Sequence, residues 1–230
     1  MKSAIKIVDL VKDNSEIIDK IGKNESLLLL EKLTNSTKSF WHRTNLVLEE
    51  GASLTFFLLV HSCNQIALDI AVELRGVNSS ATLLGVYLGK NSEVFQLSIT
   101  LLHKASSTNA LTWINGVLTD HSTSNFSGLV KIVPGLRVVN SYLANHVLVL
   151  GDKAKANTIP SLEIESDDVK CSHEATIGQI NEDQLFYLMS RGIDRQTSEK
   201  LLTRGFFETV LTKIENTAFR EQIIKELDKV

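Results

Sequence analysis

Cys171 and His173 are the residues of this 230-residue chain whose types and spacing do chemistry most readily. They stand two apart in a stretch where Leu162, Ile164, Val169, Cys171 and His173 alternate as strands do, with the phase resetting at Asp167 and Asp168. Two positions apart on a strand means one face, so thiolate and imidazole can approach the same metal ion or persulfide. A neighbouring imidazolium would also lower the thiol's pKa and raise the fraction of thiolate, the nucleophilic and ligating form. Glu174 then points to the opposite face, from where it could act across a subunit boundary. On residue types alone, a buried cysteine beside a hydrogen-bonded histidine is the commoner arrangement, and both readings stay open.

Other groupings carry less. Asp120, His121 and Ser122 hold the residue types of a hydrolytic triad, but as neighbours in a turn they cannot form its relay and read as a solvated turn. Asp167 and Asp168 are adjacent, so in extended chain they face opposite sides, and a turn-forming role is expected. His61 and His103 fall in strand-like runs and are expected as satisfied core histidines. The sequence has no G-x-x-x-x-G-K-[ST] loop, no C-x-x-C and no H-E-x-x-H. Any ATP hydrolysis must come from another protein.

The elements that position these residues divide the chain into three parts. Residues 1–50 predict strands in IKIVDLV and FWHRTNLVLEE, with SEIIDKIGKNESLLLLEKL read as a short helix and a strand or as two short helices. Residues 51–180 form an all-β core, with segments starting near Ala52, Gln65, Ser79, Ser92, Thr108, Thr123, Leu136 and Asn157. Gly76, Asn78, Gly89, Asn91, Gly128, Gly135 and Gly151 punctuate them, because Gly and Asn tolerate positive φ. Residues 181–230 predict helices. Asn181 caps the first, with Gln184 reaching back and Gly192 ending it. Asp194 caps a second that Gly205 stops, FFETVLTKI gives another, and Thr217 opens the last. Eight β segments at near-regular spacing fit a sandwich, a barrel or a coiled solenoid alike.

Composition narrows the class. The hydrophobic fraction is 43% and the charged fraction 22%, as in ordinary soluble domains. A net charge of −3 without a basic stripe argues against nucleic acid, and nothing in the sequence supports membrane binding. The first residues lack the apolar region of a secretory signal, and the two cysteines, Cys63 and Cys171, give no disulfide framework, so a reducing, cytoplasmic setting is expected.

The strings PSLEIESDDVKCSHEATIGQI and EDQLFYLMSRGI resemble the signature of the SufB and SufD proteins, the iron–sulfur cluster assembly scaffold subunits that work with the ATPase SufC. Weaker similarity runs back to about Gly51, through LLHKASSTNALTWINGVL and SNFSGLVKIVPG, and forward to about Leu211. The resemblance is nearest to SufD, in a chain too short to hold most of the family's N-terminal helical domain. It implies a right-handed parallel β-helix as the core, mainly β overall with a C-terminal helical domain, the helical tail being well placed to cover an open end.

CSH resembles the SufD motif, whose cysteine and histidine lie at the functional SufB and SufD interface, which the resemblance carries onto Cys171 and His173. HEAT resembles SufB and adds Glu174. Two departures stand out: Ala144, Asn145 and His146 occupy the place of SufB's QCD-like segment, and Phe186, Tyr187 and Leu188 that of its FYC. By the same resemblance the partners are a SufC-like ATPase and either a SufB-like subunit or a second copy. The resemblance implies that the ATPase docks on the surface from Gln184 to Phe207, with Arg191, Leu202 and Phe206 as candidate contacts. A cubane cluster usually takes four thiolates and this chain has two cysteines. A cluster or iron would therefore be transient or shared between chains, none being bound by this chain alone. The expected role is a scaffold subunit without turnover of its own. The rival expectation is a shortened paralogue that only binds partners.

Overall fold

Short apolar alternations, most of them followed by a corner residue at positive φ, coil the chain into a parallel β-solenoid of about six turns. In this computed structural model the described residues are 2–9 and 14–227. The strands are β1 (Lys2–Asp9), β2 (Ser15–Ile21), β3 (Glu25–Leu48), β4 (Ser53–Leu74), β5 (Ser80–Gly89), β6 (Val94–His103), β7 (Asn109–Leu118), β8 (Thr123–Ile132), β9 (Arg137–Val149), β10 (Lys155–Ile164) and β11 (Asp168–Gln179). Helices α1 (Glu182–Ser190), α2 (Arg195–Leu211) and α3 (Thr217–Leu227) follow. All strand pairings are parallel.

Two sheets result. β4 bends at Ser62, whose φ is 56°, so that Ser53–His61 pairs with β5 while Gln65–Leu74 pairs with β6. The front sheet runs β1, β3, β4, β5, β7, β9, β11, and the back sheet runs β2, β3, β4, β6, β8, β10, with the two long strands shared. Asn24, Asn78, Asn91, Ser107 and Asp120 make corners at positive φ, where Asn and Asp are tolerated. Corners also stack: the Asn91 amide donates to Asp120 Oδ2 at 2.9 Å, one turn further on.

The lumen between the sheets is a continuous apolar core running from Leu27 and Leu29 through Phe56, Phe95 and Phe126 to Leu143 and Val147. Its few polar groups are mostly paired. Glu31 is fully buried and accepts from Thr44 Oγ1 at 2.8 Å, and His42 Nε2 lies 2.9 Å from the same hydroxyl. Tyr87 lies across the lumen with its hydroxyl donating to Ser124 at 3.1 Å. Its ring occupies the space of a missing side chain, since a Cβ on Gly116 would lie 2.0 Å from Tyr87 Cζ.

The front sheet is buried on both sides. Leu28, Leu30, Phe57, Leu59, Leu84, Val86 and Val117 point away from the lumen and form a second core with Phe207, Val210, Leu211, Ile214, Phe219 and Ile223. The helical tail therefore packs along the outer side of the front sheet, where this apolar stripe is buried, rather than covering an open end of the coil. Three further expectations are corrected. SEIIDKIGKNESLLLLEKL is strand in β2 and the first half of β3, its leucines alternating between the two cores. Gly205 sits inside α2, which continues through FFETVL. Gly128 lies within β8 and is a packing glycine, since a Cβ there would meet Leu143 at 2.7 Å. The expected IKIVDLV strand is β1 as far as Asp9, while Leu10 and Val11 lie outside the described residues. No helix among the described residues is long and apolar enough to cross a membrane.

Two stability predictions follow from the lumen. Gly116→Ala forces Tyr87 off its site and is expected to lower stability by about 1–3 kcal/mol, read by chemical denaturation. His103, fully buried with Nδ1 2.8 Å from Thr108 Oγ1, has its pKa pushed down to about 4 by desolvation. The unfolded chain takes up that proton near pH 6.5 and the native state only near 4, so stability falls as pH falls through this window. The loss attributable to His103 is about 3 kcal/mol, and His103→Gln should flatten the stability profile between those values.

Candidate functional site at the last turn of the solenoid

β11 closes the front sheet by pairing with β9, and no further strand follows it in the sheet among the described residues. The register shifts between Asp168 and Val169, which is the phase reset expected at the two aspartates. Val169 and Cys171 then turn inward and pack on the lumen core. Cys171 lies beside Ser141 and His173 beside Leu143, both of which face the lumen, so the cysteine and histidine share one side of the strand. Beyond Cys171 the strand outruns its cover, and His173 is exposed. Glu174 takes the outer side, as strand alternation requires.

Burial pushes the Cys171 thiol up, away from thiolate. Desolvation beside the lumen side chains is the cause of that shift. Among the described residues, no three His, Cys, Asp or Glu side chains are arranged to hold a metal ion.

Glu174 is instead the end of an outward-facing cluster that the sequence reading missed. Its carboxylate accepts from the Tyr142 hydroxyl and lies 3.1 Å from His146 Nε2. These bonds hold the Glu174 carboxyl below its usual range, the Tyr142 bond contributing most. The Tyr142 phenol is pushed up to about 12, first by desolvation and then by the adjoining carboxylate. Asn115 pairs with His146 in the strand register, and its Oδ1 lies 3.3 Å from His146 Nδ1. The Trp113 ring packs on His146 at 4.8 Å and on Tyr142 at 5.9 Å, and Lys213 Nζ sits 3.6 Å above the indole. The only trace of this cluster in the sequence is its set of outward aromatic and polar residues in LTWING and NSYLANH, placed side by side by coil register.

On the helices, Asn181 Oδ1 accepts from the amides of Asp183 and Gln184, and Asp194 caps α2 through the Thr197 amide at 3.0 Å, as expected. Gln184 and Arg191 are exposed, with the Arg191 guanidinium 5.1 Å from the centre of the Tyr187 ring. Leu202 and Phe206 are half-buried, and Phe206 packs on the second core. The apolar surface left open lies beside them: Phe186, 73% exposed, with Tyr187, Met189 and Leu201. The turn at Asp120 is a corner as read, but Ser122 is buried and its hydroxyl donates to Thr119 O at 2.7 Å.

A parallel β-solenoid whose last strand carries Cys-x-His-Glu, with helices packed on one side, defines a β-helix domain. Residues 15–206 match the family model described as SUF system FeS cluster assembly, SufBD core domain, and the chain belongs to that family. It is 26% identical over 188 residues to the iron–sulfur cluster assembly protein SufD of Escherichia coli, covering 82% of this chain and 44% of that protein. It is 29% identical over 144 residues to SufD of Bacillus subtilis, covering 63% of this chain and 33% of that protein. A SufBD family iron–sulfur cluster assembly protein of Synechocystis is 35% identical over 131 residues, covering 57% of this chain and 28% of its own length. The chain thus spans less than half the length of these relatives.

The raised Cys171 pKa yields a direct expectation. At pH 7 to 8 the native chain should alkylate with iodoacetamide more slowly than a free cysteine does, because the thiolate is the reacting form. The rate should climb only above the ordinary thiol pKa. Rapid alkylation of Cys171 at pH 7, located by peptide mapping, would show that the lumen does not desolvate the sulfur.

Proposed function

We infer that the chain is a SufD-like or SufB/SufD-hybrid scaffold subunit of a Suf-type iron–sulfur cluster assembly complex. In this reading it pairs with a SufB-like subunit or a second copy through the last turn of the solenoid, and a SufC-like ATPase docks on α1 and α2. The observation that carries it is the position of β11. A final strand with one partner, β9, leaves backbone donors and acceptors for a strand from another chain. Cys171, His173 and Glu174 would then stand at the seam and be completed by residues of the second chain. The open Phe186, Tyr187, Met189 and Leu201 surface supports docking of a partner on the helices, beside Gln184 and Arg191. Leu202 and Phe206 would contribute their exposed parts. ATP hydrolysis would reside in the partner, and the scaffold would receive iron or sulfur without turnover of its own, in the cytoplasm.

In a shared site the chemistry divides between the two sides of β11. Cys171 supplies sulfur ligation once the seam or a bound metal stabilises its thiolate, since a coordinated thiol is held deprotonated. His173 is exposed beside it and can ligate through either ring nitrogen. Glu174, held in its ionised form, provides a hard oxygen ligand suited to iron entry. Iron and sulfide are cargo here.

A second reading, a shortened paralogue that only binds partners, draws on the raised Cys171 pKa, which disfavours sulfur chemistry in the chain alone. Co-expression with the cognate SufC-type ATPase, with and without a SufB-type subunit, and light scattering on the purified species test the assembly. Complex formation in either combination is expected, whereas no association in both would overturn the scaffold reading. Anaerobic reconstitution of the full complex separates the two readings. Cys171→Ser and His173→Ala are expected to lower cluster yield several-fold, and unchanged yield with intact assembly favours the paralogue.

A further inference from the structure

We propose that Asn115 and His146 are positioning residues that tie Glu174 to helix α2, so that movement of the helix is felt at the last strand of the solenoid. The inference rests on the scaffold reading for its use in the cell, but its physical content is a hydrogen-bond chain within this one polypeptide.

Asn115 lies on β7, facing outward, and is buried beneath α2. Its amide nitrogen donates to Phe206 O at 2.8 Å and to Thr209 Oγ1 at 3.0 Å. Because a carbonyl only accepts, the Phe206 contact fixes which end of the Asn115 amide is nitrogen. Asn115 Oδ1 is then left for His146 Nδ1 at 3.3 Å, and His146 Nε2 meets Glu174 Oε1 at 3.1 Å. Nδ1 and Nε2 of His146 thus each face an oxygen, one on Asn115 and one on Glu174. The chain thus runs from the α2 backbone through β7 and β9 to β11, crossing three elements that are distant in sequence.

Three features make the path rigid. The Trp113 ring packs against the imidazole, and Lys213, in the turn after α2, sits over that indole. Asn115 has both amide hydrogens committed to α2, so it cannot keep its Oδ1 in place if the helix slides. Glu174 is bound on its other oxygen by Tyr142, so displacement of His146 changes the carboxylate's partners without releasing it. The apolar contacts between α2 and the front sheet tolerate a small shift, as packed apolar surfaces do, whereas the directional bonds at Asn115 do not. In the scaffold reading, a partner seated on α1 and α2 would act on Glu174 through this joint.

The test uses the chain alone, labelled with 15N-histidine, and reads the His146 ring nitrogens by long-range 1H–15N spectra. Thr209→Val removes a partner of Asn115 that does not touch His146; Asn115→Leu removes the joint itself. Each is expected to shift the His146 Nδ1 resonance away from its hydrogen-bonded position. In the double variant Thr209→Val should add nothing to Asn115→Leu, the non-additivity expected of one shared network. A merely structural role for Thr209 would change melting temperature and leave the ring signal in place. If Thr209→Val leaves His146 unmoved, or if the two shifts add, the joint is overturned, and Thr209→Val alone suffices should Asn115→Leu fail to fold. No metal, cluster or ATPase enters this measurement, so its failure is distinct from failure of the scaffold reading, which the reconstitution experiment decides.

Discussion

Burial of the front sheet on both sides is the constraint on which the rest of the structure depends. A solenoid sheet normally buries its inner side and leaves the outer side to water. Here Leu27 and Leu29 face the lumen while Leu28 and Leu30 face the helices, and Phe56 and Phe57 divide in the same way. The outer stripe captures α2 and α3 through Phe207, Val210, Leu211, Phe219 and Ile223. With the helices anchored there, α1 is left displaying Phe186 and Tyr187, and the outer side of β9 and β11 is left open for Tyr142 and Glu174. One packing decision thus sets both the exposed face of α1 and the polar cluster at the last turn.

The site has two characters because a strand has two sides. Inward, Cys171 belongs to the end of an apolar core, and desolvation holds its proton. Outward, Glu174 belongs to a network of directional bonds and stays ionised. Completion of the seam by a second chain would change both environments together, since added donors and metal favour thiolate while the carboxylate is already prepared. In the proposed function, that division would be a physical reason for cluster chemistry to appear only on assembly.

Much of this was legible from period alone. The segments expected near Gln65, Ser79, Thr108, Thr123 and Leu136 begin within a residue or so at Gln65, Ser80, Asn109, Thr123 and Arg137. The caps at Asn181 and Asp194 were equally plain, because a cap is a local event. The failures have a common cause in long-range pairing. Runs such as NESLLLL look helical when both sides of a strand are apolar, as in Glu25–Leu33, and nothing in the run says that one side meets helices nearly two hundred residues away. The cluster of Trp113, Asn115, Tyr142, His146 and Glu174 was hidden for the same reason. Its members come together only through the coil register that sets Asn115 beside His146, and Glu174 between the partners of Tyr142 and His146.

In the proposed function the last strand of the solenoid would be where the chain meets a second one. Hydrogen–deuterium exchange of the chain alone and in its complex measures that directly. The account predicts that residues 168–179 gain protection on association with a SufB-type subunit or a second copy, as the amides of β11 acquire partners. Protection confined to the first turn or to the back sheet, with 168–179 exchanging as in the free chain, would contradict it.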